Sequence, residues 1–269
     1  MDPSLAKGLK NQLFREISDE IDDVTKQWIK FIKQSKPDSS RLRWEKFCNE
    51  IDGIFGPFLI AKYRGGSKRK PFLCTAIFEN ENRKYNSWNE NCIYSKFNYY
   101  TINPVWADSF PDVFSVSEHA IQRIFERSFT DASPADKNFR KVQFANELRY
   151  APLWATFWVY MTNKTFQYES IESIEIVIPS PNGLLFGEIR RNSYCEIRTF
   201  LASHQLSVKQ NNLLKKMQVI SQKFSESVIP FIFHKFISDQ KDSVDQLVNF
   251  LLEAEEITEM LKTEFQIRI

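Results

Sequence analysis

Ser117-Glu118-His119-Ala120-Ile121-Gln122-Arg123-Ile124-Phe125-Glu126-Arg127-Ser128 places one of the chain's three histidines four and eight residues before two arginines. Residues four apart are neighbours on a helix, so His119, Arg123 and Arg127 make a slanting row whose ends lie roughly 12 Å apart at 1.5 Å per residue. Guanidinium groups neutralise phosphate and stabilise the charge that develops on it, with no metal needed. An imidazole in the first helical turn faces free N–H groups and partial positive charge, which favour its neutral, proton-accepting form. The set suits a nucleic-acid backbone and, in its sharpest form, RNA cleavage through a 2′-hydroxyl. Tyr194, Thr199 and His204 are the candidates by residue type for a second proton-transfer group. A plain solvated helix face accounts for the same residues. On a helical wheel Ala120, Ile121, Ile124, Phe125 and Ser128 turn inward, His119 points away from them, and Glu126 is placed to pair with Arg123.

These side chains need elements to hold them. Phe114-Ser-Val leads into the His119 helix, which has two candidate caps: Ser115, with Glu118 three residues on in a capping-box pattern, or Ser117 itself. Upstream, Leu9, Leu13, Ile17, Ile21, Val24, Trp28, Phe31 and Ile32 recur at helical spacing from about Leu5 to Lys33, and Leu42, Trp44, Phe47, Ile51 and Ile54 supply the apolar side of a second helix from Arg41 to Ile54. Strands are expected at Pro57–Tyr63, Pro71–Glu79 and Ile93–Ile102, which are rich in aromatic and β-branched residues. Downstream, Asn138–Met161 reads as helical with an interruption near Pro152. Strands return at Ile171–Ile178, Leu184–Arg190 and Tyr194–Leu201, with Pro179-Ser-Pro-Asn-Gly as a turn between the first two. From His204 onward the pattern is helical: Leu206, Leu213, Leu214, Met217 and Ile220 precede Pro230, and Val244, Leu247, Val248, Leu251, Leu252, Ile257, Met260 and Leu261 form a later apolar stripe. The expected architecture is α+β: a central, mostly antiparallel sheet in a core over 57–203, an N-terminal helical segment over 1–56 and a C-terminal helical segment, a hairpin or bundle, over 204–269.

With these elements in place, the Ser-x-His-Ala-x-x-Arg-x-x-x-Arg pattern at Ser117, His119, Ala120, Arg123 and Arg127, followed by hairpin-like Gly183–Arg190 and Tyr194–Leu201, resembles metal-independent ribonuclease toxins of the barnase–EndoU–colicin–RelE superfamily. The resemblance spans at most Val113–Leu201. It implies a small helix-plus-sheet nuclease core in which His119 and Arg123 on the helix and Thr199 on the strand match family residues.

Composition narrows the remaining choices. The 36 Lys+Arg against 34 Asp+Glu leave a formal charge of +2, so a basic site must be local rather than a property of the whole molecule. Arg64-Gly-Gly-Ser-Lys68-Arg69-Lys70 groups four bases in seven residues, and Arg190-Arg191 adds a second pair; both could contact phosphate, and both also fit charged turns. Phe97, Tyr99, Tyr100 and Trp106 could stack bases, but 24 Phe and six Trp beside seven Gly point to a dense aromatic core instead. Cys48, Cys74, Cys92 and Cys195 are too far apart for a CxxC pair and read as free buried thiols, while His204 and His234 have no ligand-spaced companions. No metal or cofactor is expected, since GxxxxGK[ST], GxGxxG and HExxH are missing from the sequence. The polar N-terminus and the lack of any apolar run near about 18 residues lead us to expect a cytoplasmic protein with no membrane partner. Two functions from different classes stay open. One is nucleic-acid interaction, up to metal-independent cleavage of RNA by a toxin or defence nuclease. The other is a non-catalytic regulatory subunit docking a protein partner, or a second copy of the chain, through 243–262.

Overall fold

The computed structural model describes residues 1–34, 41–67, 70–84, 89–102, 105–110, 114–128, 137–166, 173–190, 195–233 and 241–265. The chain begins with a long helix, α1 (Pro3–Gln34), capped by Asp2, whose carboxylate accepts from the Ser4 and Leu5 N–H groups at 2.9 and 3.2 Å. Proline at the first helical position needs no donor, so Asp2-Pro3 is a start signal. Ala6, Leu9, Leu13 and Ile17 form the buried stripe that the helical spacing predicts. A shorter helix, α2 (Arg41–Phe55), runs through Gly53 and is followed by a single tight turn at Gly56–Phe58.

Five strands follow: β1 (Leu59–Ser67), β2 (Lys70–Lys84), β3 (Asn89–Ile102), β4 (Val105–Phe110) and β5 (Phe114–Ser117). Three helices, α3 (Glu118–Ser128), α4 (Lys137–Glu147) and α5 (Ala151–Phe166), lead to β6 (Ser173–Ser180), β7 (Gly183–Arg190) and β8 (Cys195–Ala202). Two long helices, α6 (Val208–Phe233) and α7 (Lys241–Phe265), follow. The sheet order is β1-β2-β3-β5-β8-β7-β6, with β4 also paired to β3. Among the described residues every pairing is antiparallel except β5 with β8, so the fold is α+β with a mostly antiparallel sheet. Two meanders therefore meet at β5, which joins β3 over Cys92–Tyr94 and β8 over Cys195–Ile197.

Differences from expectation have local causes. The sequence pattern does not predict β4, because Val-Trp-Ala-Asp-Ser-Phe lacks clean alternation and gains its strand form from pairing with β3. α6 continues past Pro230 to Phe233. The helical break near Pro152 falls at Leu148–Tyr150, just ahead of α5.

One continuous apolar core takes residues from all three sequence segments, from Ala6 of α1 through Trp154 and Phe200 to Leu261 of α7. α5 packs on the second meander: Trp158 Nε1 donates to Val177 O at 2.8 Å and the Cys195 thiol to Ala155 O at 3.5 Å. Trp154 Nε1 donates to Ser221 Oγ of α6 at 2.8 Å, so α6 lies against α5. α6 and α7 form an antiparallel hairpin, since Lys209 lies near Glu264, Lys216 near Met260, and Lys223 pairs with Glu253. Its rotation differs from the expected stripe. Phe250 packs among Trp154, Phe157 and Phe224 at centroid distances of 5.9, 6.0 and 5.7 Å, which turns Val248 and Leu252, two residues to either side and roughly 160° around the helix, out to 46% and 55% exposure. Phe250, Ala254, Ile257 and Leu261 are the buried row; the side chains of Val244 and Leu247 lie outside the described residues.

Candidate functional site

Ser117 ends β5 and caps α3. Its hydroxyl accepts from Ala120 N–H at 3.2 Å and donates to the Arg198 carbonyl of β8 at 3.3 Å, so one side chain closes the helix start and ties it to the neighbouring strand. Of the two candidate caps, then, Ser117 is the one used. Ser115 is buried within β5, and Glu118 pairs instead with Lys10, whose side chain on α1 is 4% exposed. The far end of α3 is tied to the same strand, because Arg127 Nη1 donates to Phe200 O. The inward face is Ala120, Ile121, Ile124 and Phe125, with Phe125 stacked on Phe144 of α4 at 6.4 Å.

The rest of the helix carries the exposed His119, the partly exposed Arg123 and Gln122, and Glu126, whose side chain is only 8% exposed. Arg123 Nε donates to His119 Nε2 at 3.5 Å, a long contact. Arg123 Nη1 binds the Glu126 carboxylate at 2.6 Å, and Gln122 donates to the same carboxylate at 2.8 Å. The His119 pKa is held below the ordinary histidine value by partial loss of hydration and then by the charges of Arg123 and Arg127, with Glu126 opposing. His119 is exposed overall, but loss of hydration and the arginine charges act in the same direction. Burial pushes the Glu126 carboxyl up, yet the hydrogen bonds from Gln122 and Arg123 and the two arginine charges outweigh it and hold it below the usual range. The face thus presents a neutral imidazole beside a guanidinium whose charge Glu126 already partly balances.

β8 beneath α3 is irregular. Phe186 of β7 faces Thr199 and Gly187 faces Ile197, which leaves Arg198 as the extra residue of a bulge. Gly187 is required there, since a Cβ would stand 1.9 Å from the Glu196 carbonyl oxygen. Thr199 is half-buried between Arg198 and Phe200, the residues whose carbonyls meet the two ends of α3. His119, Arg123, Arg127 and Thr199 therefore share one helix–strand unit. The Arg198 side chain bridges Glu188 at 2.7 Å and Glu196 at 3.1 Å, two carboxylates opposite one another in the β7–β8 register, and Arg190 binds Glu188 at 2.6 Å. This charge cluster was missed in the sequence, although Glu188-Ile-Arg190 and Glu196-Ile-Arg198 carry its signal as alternating positions on paired strands.

The other candidates are placed less closely. Arg64 is on β1, 3.7 Å from Asp52, and β1 is four positions from β8 in the sheet, about 19 Å at the usual strand spacing. Lys70 opens β2 with its side chain outside the described residues, as are Lys68, Arg69, Arg191, Tyr194 and His234. His204 is exposed in the turn after β8. Phe97, Tyr99 and Tyr100 are buried and offer no stacking surface. The four cysteines are free and buried, and burial raises the thiol pKa of Cys48, Cys74 and Cys195. Among the described residues no three metal-ligating side chains cluster, and no described helix is long and apolar enough to cross a membrane.

Comparison with known proteins adds no constraint: no protein-family model matches the chain. No curated protein matches it. No solved structure matches it.

Proposed function

We propose that this protein interacts with RNA through the outward face of α3, and that the interaction extends to metal-independent cleavage of the bound strand. The carrying observation is the contact between a neutral His119 and the Arg123 guanidinium on a helix fastened at both ends to β8. In this reading Arg123 turns a free N–H edge to the phosphate, and the long contact to His119 opens as it does so. His119 Nε2 then takes the 2′-hydroxyl proton as that oxygen forms its bond to phosphorus, and the 5′-oxygen leaves with a proton from a second donor, for which Thr199 and Tyr194 are the candidates. Arg127, bound to Phe200 O, positions the helix and is the weaker phosphate ligand. The ribonuclease-toxin resemblance matches the same three residues, His119, Arg123 and Thr199.

A specific observation favours the plain reading of α3 as a structural helix face. Arg123 and Arg127 both already bind oxygens of the protein itself, as residues of a structural helix face would. Binding titrations of single-stranded RNA across a salt series separate the two. Arg123→Ala should weaken binding and reduce the salt slope by about one, the signature of one lost phosphate contact. Unchanged affinity and slope in both Arg123→Ala and Arg127→Ala would remove α3 as the phosphate site.

A further inference from the structure

Over the turns where they pack together, α6 and α7 segregate charge by helix. Between Val208 and Lys223, α6 carries Lys209, Lys215, Lys216 and Lys223 and no acid; between Val248 and Leu261, α7 carries Glu253, Glu255, Glu256 and Glu259 and no base, and Lys262, one residue on, forms an exposed pair with Glu259 at 2.9 Å that a partner's lysine would share. Part of this holds the hairpin itself, through Lys223 with Glu253 and Lys209 with Glu264. The remainder faces away from the core. Val208, Lys215 and Val219 form the outer row of α6, and Val248, Leu252, Glu255 and Glu259 that of α7, all exposed. Among the described residues Lys215, Glu255 and Glu256 take part in none of the chain's ion pairs. A groove of about 440 Å³ opens between the helices, lined by Lys209, Leu213, Lys216, Met260 and Glu264 among others. The surface is thus an apolar and charged face, half basic and half acidic, with a seam in which side chains can seat.

The geometry points to a second copy of this chain as the occupant. A face that is basic on one helix and acidic on its antiparallel neighbour is self-complementary under one twofold and self-repelling under the other. With the axis parallel to the helices, α6 of each protomer lies antiparallel on α7 of its partner, and both contacts are basic on acidic. With the axis across them, lysines stack on lysines and glutamates on glutamates. The parallel axis also preserves height along the hairpin. Lys216 lies beside Met260 within one chain, so Lys215 comes within about two residues, or ~3 Å along the axis, of Glu259 of the partner subunit. The apolar content is four aliphatic side chains, so the dimer is weak and salt-sensitive rather than obligate. This pairing is independent of any RNA chemistry at α3.

Sedimentation velocity on the full chain over a dilution series tests it with exposed charge reversals that leave the core intact. The wild type should shift from monomer to dimer with concentration, and the shift should weaken with added salt. Lys215→Glu, and separately Glu255→Lys with Glu259→Lys, should each stay monomeric. Their equimolar mixture should dimerise again, because each α6–α7 contact then regains opposite charges. A wild type that stays monomeric at every concentration overturns the proposal. So does either one-helix reversal that dimerises as the wild type does, and so does a mixture that stays monomeric.

Discussion

Arg123 links the two ionisable groups of the α3 face, touching His119 on one side and Glu126 on the other. Its charge helps keep the imidazole neutral, so Arg123→Ala should raise the His119 pKa toward the ordinary value of about 6.5, measured by following the ring C–H resonances against pH. An unmoved titration would mean that lost hydration and Arg127 set it without Arg123. The depressed folded-state pKa also fixes the sign of a stability effect. At pH above about 6.5 His119 is neutral in both states and contributes nothing to the pH dependence; below it the unfolded chain binds the proton more readily, and stability falls as pH drops through the folded-state pKa. Ser117 gives a second test at this scale. Ser117→Ala removes the helix cap and the bond to Arg198 O together, and should cost about 1 kcal/mol in chemical denaturation while speeding amide exchange in the first turn of α3. The inward face of α3 and the Arg123–Glu126 pair were legible beforehand, because both follow from helical spacing. Arg127 bonding to Phe200 O was not, since it depends on which strand lies beneath.

Elements dock here through buried charge as well as apolar contact. Arg140 of α4 binds Glu16 of α1 with side chains 3% and 5% exposed, and the buried Lys141 binds Glu20 while lying 4.8 Å from the Phe58 ring centroid. Removing one partner leaves a charge without compensation, so Arg140→Ala should destabilise the protein by about 3–5 kcal/mol in equilibrium denaturation. The double replacement Glu16→Leu with Arg140→Met should recover most of that loss. If the single and double variants lose the same stability, packing rather than charge governs the contact. Periodicity identified α1, the β7–β8 hairpin and the turn between β6 and β7, because turn residues and repeating apolar positions are local signals. It was silent on the parallel β5–β8 pairing, on β4, and on the Arg198 bulge, which are properties of two strands at once. For α7 the aliphatic spacing predicts Ile257 and Leu261 correctly but not the outward turn of Val248 and Leu252, because the long-range packing of Phe250 sets the helix rotation.

Across the whole molecule, the α3 unit is held by a core that extends to both terminal helical segments. Phe250, Ala254, Ile257 and Leu261 are buried, so truncation before Ser243 should expose the aromatic surface of Trp154, Phe157 and Phe224 and give loss of near-UV dichroism and aggregation. A soluble, folded truncation product would show that α7 is peripheral. The near balance of charge confines any phosphate site to a local face, which makes the chemistry of α3 the decisive point. The most direct measurement is cleavage of mixed single-stranded and structured RNAs by the purified full chain in the presence of EDTA. The account predicts cleavage by the wild type and a loss of about a hundredfold or more in both His119→Ala and Arg123→Ala, with circular dichroism unchanged. Equal activity in the wild type and both variants, or no cleavage of any RNA by the wild type, would contradict it.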